Sequence, residues 1–328
     1  MTHPGTSGAV VLRDVTLREG LDTPGVTLAL EARVEIASAL AAAGLDELEV
    51  VAPSRVRAEL EVARAIRDAD IEVRLTGLVY AAPEGAAQEL AEALEVLDHV
   101  ELLMPLSEAR PPVDVEQKLV RTLEVLSGAF VAPDRLGTVG VGLPHSTQVE
   151  ASRVVEFAQA AAATGAARVT LYDTNGSADP FRVGELVAAV TARVSVPVFF
   201  HAHQDLGLAA ANAFAAVRAG ARGLDVTVNG LGDRAGNTPL EQIATLLSLR
   251  GARVGAKLGS LRELSRLVER HTGVPVSKLA PIVGELVFTH RSPGHLGALG
   301  EFEAIEPSRV GAVRAVDRTP AAPDRART

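Results

Sequence analysis

Short apolar, β-branched runs alternate with longer Ala- and Leu-rich stretches of helical period from the start of the chain to about residue 250. The runs predict strands over residues 9–15, 47–51, 72–79, 100–104, 138–142, 168–171, 196–201 and 224–228. Helical stretches follow each of them, over 28–43, 55–68, 86–97, 115–126, 148–163, 180–192, 206–219 and 238–249. Eight strand-helix units imply either a closed barrel or an unusually long open sheet. The polar residues choose between them. Arg18 and Glu19 follow the first predicted strand, residues 173–175 the sixth, His201 and His203 the seventh, and residues 229–237 the eighth. In an α/β (β/α)8 barrel these positions meet at one mouth, whereas an open sheet spreads its strands at about 4.8 Å each along an edge.

Past residue 249 the pattern changes. Residues 259–271 predict a helix, and 275–300 are dense in Pro, Gly and His. The expected organisation is a catalytic barrel over residues 1–255 and a C-terminal arm or lid over 256–328, with a flexible tail at APDRART.

Composition narrows the function classes. Apolar residues make up 47% of the chain, aromatics 3%, and Trp is missing, so the core is built from Ala, Val and Leu. A formal charge of −9 argues against nucleic acid or an anionic membrane as the main partner. Without Cys there is no disulfide framework, thiolate ligand or cysteine nucleophile. The first residues lack a basic-then-apolar leader pattern, and no run of about 18 apolar residues occurs. A cytoplasmic enzyme is expected.

The candidate chemistry centres on HAH at 201–203. Residues i and i+2 of an extended segment share a face, so both imidazoles can aim at one point. An isolated HxH is as readily packing as ligation, but this one leaves an apolar strand where a barrel mouth belongs. With Glu19 it makes a two-His, one-carboxylate face for one divalent ion, Mg2+, Mn2+ or Zn2+, with positions left for substrate. A surface ion pair between Arg18 and Glu19 is the structural alternative. Arg18 stays protonated, so its role beside the ion is to neutralise charge on an enolate or carbonyl oxygen. Asn237 starts the helix after strand eight, either as a cap or as a further oxygen ligand. Residues 229–237, NGLGDRAGN, superficially match a nucleotide-binding loop, but no acidic residue follows at the spacing a dinucleotide site requires.

Two long segments resemble the DRE-TIM metallolyase family, which groups 2-isopropylmalate, homocitrate and citramalate synthases with the more distant 3-hydroxy-3-methylglutaryl-CoA lyase. They are DVTLREGLDTPG at 14–25 and HAHQDLGLAAANAFAAVRAGARGLDVTVNGLGDRAGNTPLE at 201–241. A third, PIVGELVFTHRSPGHLGALGEFEAIEP at 281–307, looks like the synthase arm. The resemblance implies that Arg18 is catalytic, that Glu19, His201, His203 and Asn237 surround the metal, and that Thr174 contacts the carboxylate of a 2-oxo acid. It also implies that His295 reaches a neighbouring subunit's barrel as an acid or base, hence a homodimer. Glu49 in strand two and Arg110 after strand four are further substrate-side candidates.

Four positions depart from the family pattern. Asp22 stands for the usual Gln, Gln204 for Asn, Leu143-Pro144-His145 for a segment bearing Glu, and Phe302 for Tyr. Asp22 brings a negative charge toward the 2-oxo acid, and His145 is a candidate replacement for a lost proton-transfer group. The implied activity is Claisen-type condensation of an acyl-CoA, acetyl-CoA or a related thioester, with a 2-oxo acid. The alternatives are a lyase or aldolase of the same metal-enolate class and a metal-binding barrel that has lost catalysis. End-product regulation through a further C-terminal domain is not expected.

Overall fold

The computed structural model describes residues 8–81, 84–106, 115–129 and 138–319. Among them the strands are β1 (Val11–Asp14), β2 (Glu47–Val51), β3 (Arg74–Tyr80), β4 (His99–Leu103), β5 (Thr138–Leu143), β6 (Val169–Asp173), β7 (Val198–Ala202) and β8 (Gly223–Val226). They pair in sequence order, all parallel, and β1 also pairs with β8, which closes the sheet. The eight-unit barrel is as expected. Predicted strand ends lie within two residues of the observed ones, as at residue 9 against Val11.

The helices α1 (Leu30–Ala42), α2 (Val56–Asp68), α3 (Ala86–Leu94), α4 (Val115–Ala129), α5 (Ala151–Ala163), α6 (Pro180–Thr191), α7 (Ala209–Arg218) and α8 (Leu240–Leu249) follow their strands in turn. Outward-facing strand residues such as Leu12, Leu48, Val100 and Leu171 share one apolar cluster with Ile36, Leu40, Leu60 and Phe157 of the helices. Burying a side chain of this size contributes about 1.5–3 kcal/mol, so this layer is the main source of cohesion. Helix α9 (Leu261–Thr272) joins the same cluster through Leu261, Leu264, Leu267 and Val268. Beyond it, Phe288, Ile305, Val310 and Ala312 form a separate small core beside the two-residue strands β9 (Thr289–His290) and β10 (Ala315–Val316). The tail expected to be flexible, 322–328, lies outside the described residues, as does Arg110.

Four helices, α1, α5, α7 and α8, begin two or three residues later than their period suggested. Residues 146–148 form a 3-10 turn before α5, and α8 starts at Leu240 after Pro239. Asn237 is therefore not the cap of α8; it bridges to His203 instead.

The inward face of the barrel is charged rather than aliphatic. Arg13 is fully buried and donates to Asp225 through Nε (2.6 Å) and Nη2 (2.8 Å), and to Glu101 through Nη1 (3.2 Å). Glu49 lies 3.3 Å from the same guanidinium. Thr170 and Tyr172 donate to Glu101 from β6. Removing one partner from such a pair leaves an uncompensated charge, at a cost of about 3–5 kcal/mol. These contacts tie β1 to β2, β4 and β8 across the barrel interior.

Two acids lack that compensation. Asp14 is buried with Oδ1 accepting from the Thr16 amide (2.9 Å) and Oδ2 without a partner among the described residues. Burial pushes its carboxyl from 3.8 up to about 7, and the nearby Glu241 adds to the shift. Burial alone takes Glu241 from 4.5 to about 7. Because the folded values exceed the unfolded ones, the folded chain holds these protons longer. Their contribution to stability is complete below about pH 4 and is lost as pH rises through about 7. Calorimetric melting between pH 5 and 8 should fall with pH. Asp14→Asn, which keeps an acceptor for Thr16, should flatten that slope and raise stability at pH 8 by up to a few kcal/mol. An Asn variant less stable than the parent at pH 8 would contradict this.

Candidate functional site

Just past β1 the chain turns at Val15 and brings two charged residues, Arg18 and Glu19, inward. The Val15 carbonyl accepts from the amides of Arg18 (3.1 Å) and Glu19 (2.8 Å), folding the chain over the C-terminal mouth of the barrel. His201 sits in β7 and His203 just past it, both facing the same way. One ligand atom from each of Glu19, His201 and His203 lies within 4.8 Å of the others, and all three residues are buried. Nε2 of His201 is 3.3 Å from Nε2 of His203, which is 3.7 Å from Oε1 of Glu19.

The protonation of this trio suits a cation. His201 Nδ1 donates to Asp225 Oδ2 at 2.9 Å, leaving the Nε2 lone pair toward the centre. Burial would raise Asp225, but the charge of Arg13 and the bond from His201 outweigh it and hold the carboxylate ionised. Burial, the adjacent His201 and the charges of Arg234 and Arg18 push His203 down to about 2, so it is neutral. Two imidazoles, each with Nε2 toward the centre, and one carboxylate at this spacing form a donor set that fits one divalent ion.

Arg18 is held on both sides. Its Nε donates to Glu49 Oε1 (2.7 Å) and its Nη1 to Glu19. Nη2 is 2.6 Å from the same Glu49 oxygen but is not directed at it, and makes no hydrogen bond among the described residues. Glu49 has no exposed surface, so it lies behind Arg18 rather than at the wall of the mouth. Asn237 presents Nδ2 to His201 Nε2 at 3.0 Å, while its buried Oδ1 is unpartnered and points at Gly232. A Cβ at residue 232 would collide with that oxygen, and the φ of 152° there is one that side chains rarely adopt.

Around this centre is a cavity of about 300 Å³ whose walls include Asp22, Arg55, Tyr80, His145, Tyr172 and Thr174. Asp22 is 3.8 Å from Arg55, which partly counters its charge. Thr174 Oγ1 accepts from the His145 amide (2.7 Å), and His145 takes a left-handed φ of 68°. Its Nδ1 is 2.6 Å from Gln148 Oε1. Arg234 ties the rim together, donating to Asp205 (2.8 and 3.0 Å) and to the Thr174 carbonyl (2.8 Å).

His295 is not at this mouth. Its ring stacks on Phe302 with centroids 3.9 Å apart, in a cleft of the arm that also includes His290 and Glu303. Within one chain the structure thus gathers Arg18, Glu19, Glu49, Asp22, His145, Thr174, His201, His203 and Asn237, and leaves His295 apart.

Sequence reasoning passed over Asp225, Arg55, Tyr172 and Arg234. The signal for Asp225 was its place in an otherwise apolar strand, since a carboxylate buried there needs a cationic or imidazole partner.

Comparison with known proteins places these observations in a lineage. Residues 9–268 match the HMGL-like family model. A protein of Methanopyrus kandleri named as a probable 2-isopropylmalate synthase is 37% identical over 300 residues, covering 90% of this chain and 59% of the relative. The chain thus spans about three fifths of that relative's length. The 2-phosphonomethylmalate synthase of Streptomyces rubellomurinus is 34% identical over 312 residues, covering 93% of this chain and 83% of the relative. Among solved structures, hydroxymethylglutaryl-CoA lyase from Pseudomonas aeruginosa superposes with a TM-score of 0.70 at 23% identity, over 84% of this chain and 96% of that one. That likeness concerns the fold.

Proposed function

We propose that this chain, which belongs to the HMGL-like family of DRE-TIM metallolyases, is a Claisen-type acyltransferase that joins acetyl-CoA or a related thioester to a 2-oxo acid. The products are a 2-hydroxy-2-carboxymethyl acid and CoA. The convergence of Glu19, His201 and His203 beside a buried, two-sided clamp on Arg18 carries the reading. Relatives named as 2-isopropylmalate and citramalate synthases support it.

Glu19, His201 and His203 would hold one divalent ion, and a half-turn of the Asn237 amide would bring its oxygen to the same side. When bound, the ion supplies Lewis-acid polarisation of the 2-oxo acid. Arg18, clamped between Glu19 and Glu49 beside the ion's ligands, stabilises the negative charge that grows on the ketone oxygen as the new bond forms. Thr174 contacts the substrate carboxylate, and Asp22 with Arg55 shapes the far wall. A base takes a proton from the thioester methyl group, the enolate carbon attacks the ketone carbon, and water then cleaves the thioester to release CoA.

His145, at the rim, and His295, from the arm of a second copy in a homodimer, are the imidazoles proposed for proton transfer. Residues 1–255 form the catalytic unit in this reading and 256–328 the arm, anchored through α9. The enzyme works in the cytoplasm without nucleic acid or membrane as partner; among the described residues no helix is long and apolar enough to cross a membrane.

The test supplies acetyl-CoA with pyruvate, 2-oxoisovalerate, 2-oxoglutarate or phosphonopyruvate to metal-loaded enzyme, with free thiol and product mass as readouts. Thiol that appears only with both substrates, together with the condensed acid, is expected. Cleavage of a hydroxy acid without CoA release would select the lyase, and no turnover across the panel would leave a binding protein. For His295→Ala, calorimetry should show near-normal 2-oxo-acid binding, whereas single-turnover chemistry should slow about 10²–10⁴-fold. Unchanged chemistry would transfer the proton to His145. Phe302→Tyr should raise turnover if its restored hydroxyl shares the task with His295, on which Phe302 already stacks.

A further inference from the structure

Opposite the metal centre, at the N-terminal end of the barrel, is a second cavity of about 280 Å³. Its walls come from the start of every strand: Val11, Glu47, Arg74, His99 and Thr138 open β1 to β5, and Arg168, Pro197 and Arg222 immediately precede β6 to β8. In a barrel of this kind that end is ordinarily filled by aliphatic side chains. Here it contains buried donors that nothing satisfies.

Arg168 is 5% exposed and spends only one guanidinium nitrogen on a hydrogen bond, Nη1 to Glu47 Oε2 at 2.6 Å. Its Nε and Nη2 have no hydrogen-bond partner among the described residues, while its plane rests on the Phe199 ring at 4.4 Å. His99 is 4% exposed, with Nδ1 bonded to Thr138 Oγ1 (2.7 Å) and Nε2 unpartnered. Burial and the charges of Arg168, Arg13 and Arg74 keep it neutral; in the tautomer whose Nδ1 accepts from the Thr138 hydroxyl, Nε2 carries the proton and can donate. Space in front of that nitrogen is kept by Gly140, where a Cβ would stand 2.8 Å from it.

The charges do not cancel. Arg74 and Arg168 share Glu47, Glu101 lies 3.9 Å from Arg168 Nε but already accepts from Arg13, Thr170 and Tyr172, and Asp98 is engaged by Arg67 (2.5 Å) and the Leu75 amide (2.7 Å). Arg222 has no carboxylate partner among the described residues, and its guanidinium lies over Gly8, where a side chain would collide with it. Buried N–H groups with an excess of positive charge call for an acceptor, and a charged oxygen satisfies a guanidinium better than water does.

We propose that this cavity is a binding site for a small oxyanion of the phosphate or carboxylate type, held by Arg168 and His99 inside and by Arg222 at the opening. It lies at the far end of the barrel from the proposed chemistry and does not depend on that reading. A bound anion joins the starts of β4, β6 and β8, and so stabilises the folded barrel by mass action.

Two measurements test it. Crystals soaked in selenate should give an anomalous peak within hydrogen-bond reach of Arg168 Nη2 and His99 Nε2. Phosphate or malonate, exchanged for chloride at constant ionic strength, should raise the melting temperature to a plateau. Arg222→Ala changes an exposed residue without a described side-chain partner, so it should fold; its half-saturation concentration should rise at least about fivefold, by loss of a charge-assisted contact. A cavity containing only water, a selenate peak confined to the metal centre, or an identical titration in Arg222→Ala would overturn the proposal.

Discussion

His203→Ala is expected to give a folded barrel that binds no divalent ion at its mouth and turns over at least roughly 10³-fold more slowly, because Lewis-acid stabilisation contributes several kcal/mol. The ring is buried, yet its Nδ1 makes no hydrogen bond among the described residues and its Nε2 faces only His201 and Glu19. Its removal therefore breaks no structural network. His201 is a poorer choice for the test, since it also donates to the Asp225 carboxylate and its loss would disturb the Arg13 cluster. Calorimetric titration with Mn2+ or Zn2+ and the CoA-release assay measure the two effects separately. Retained stoichiometric binding with lost turnover would move the ion elsewhere and demote the trio.

Arg18→Lys should keep the ion and lose about 10² in turnover. The guanidinium spans two carboxylates, with Nε and Nη2 against Glu49 and Nη1 against Glu19. An ammonium is a single point of charge and cannot hold both partners. A contact worth about 3 kcal/mol in the transition state corresponds to the stated factor. Glu49→Gln serves as the companion, because Glu49 acts through Arg18 and its loss should lower kcat while KM for the 2-oxo acid changes little. Near-normal turnover in Arg18→Lys would remove the electrostatic assignment.

The order of strands, the barrel and the residues at its mouth were legible because they depend on local signals. Apolar runs mark strands, and a polar residue directly after one marks the functional end. What stayed hidden was the inside of the barrel. Glu47-Leu48-Glu49-Val50-Val51 alternates as a half-solvated strand does, yet both faces are buried, one against helices and one against Arg13, Arg18, Arg74 and Arg168. Partners for those carboxylates come from distant positions, so periodicity within one strand cannot reveal them. Of the two roles the sequence offers Asn237, helix cap or oxygen ligand, the first fails for a related reason: Pro239 delays α8, and the asparagine pairs with His201 and bridges to the His203 backbone.

The ion cluster around Arg13 also bears on how the chain is made. Its strongest partner, Asp225, lies 212 residues later, in the strand that closes against β1. During synthesis the first strand therefore emerges carrying a charge whose burial is unfavourable until almost the whole barrel exists. Partial barrels gain apolar contacts but leave Arg13 short of its bidentate acceptor, so stable half-barrels are disfavoured and closure is cooperative. Fragments ending before Gly223 should remain protease-sensitive, and full resistance should arrive with the last strand.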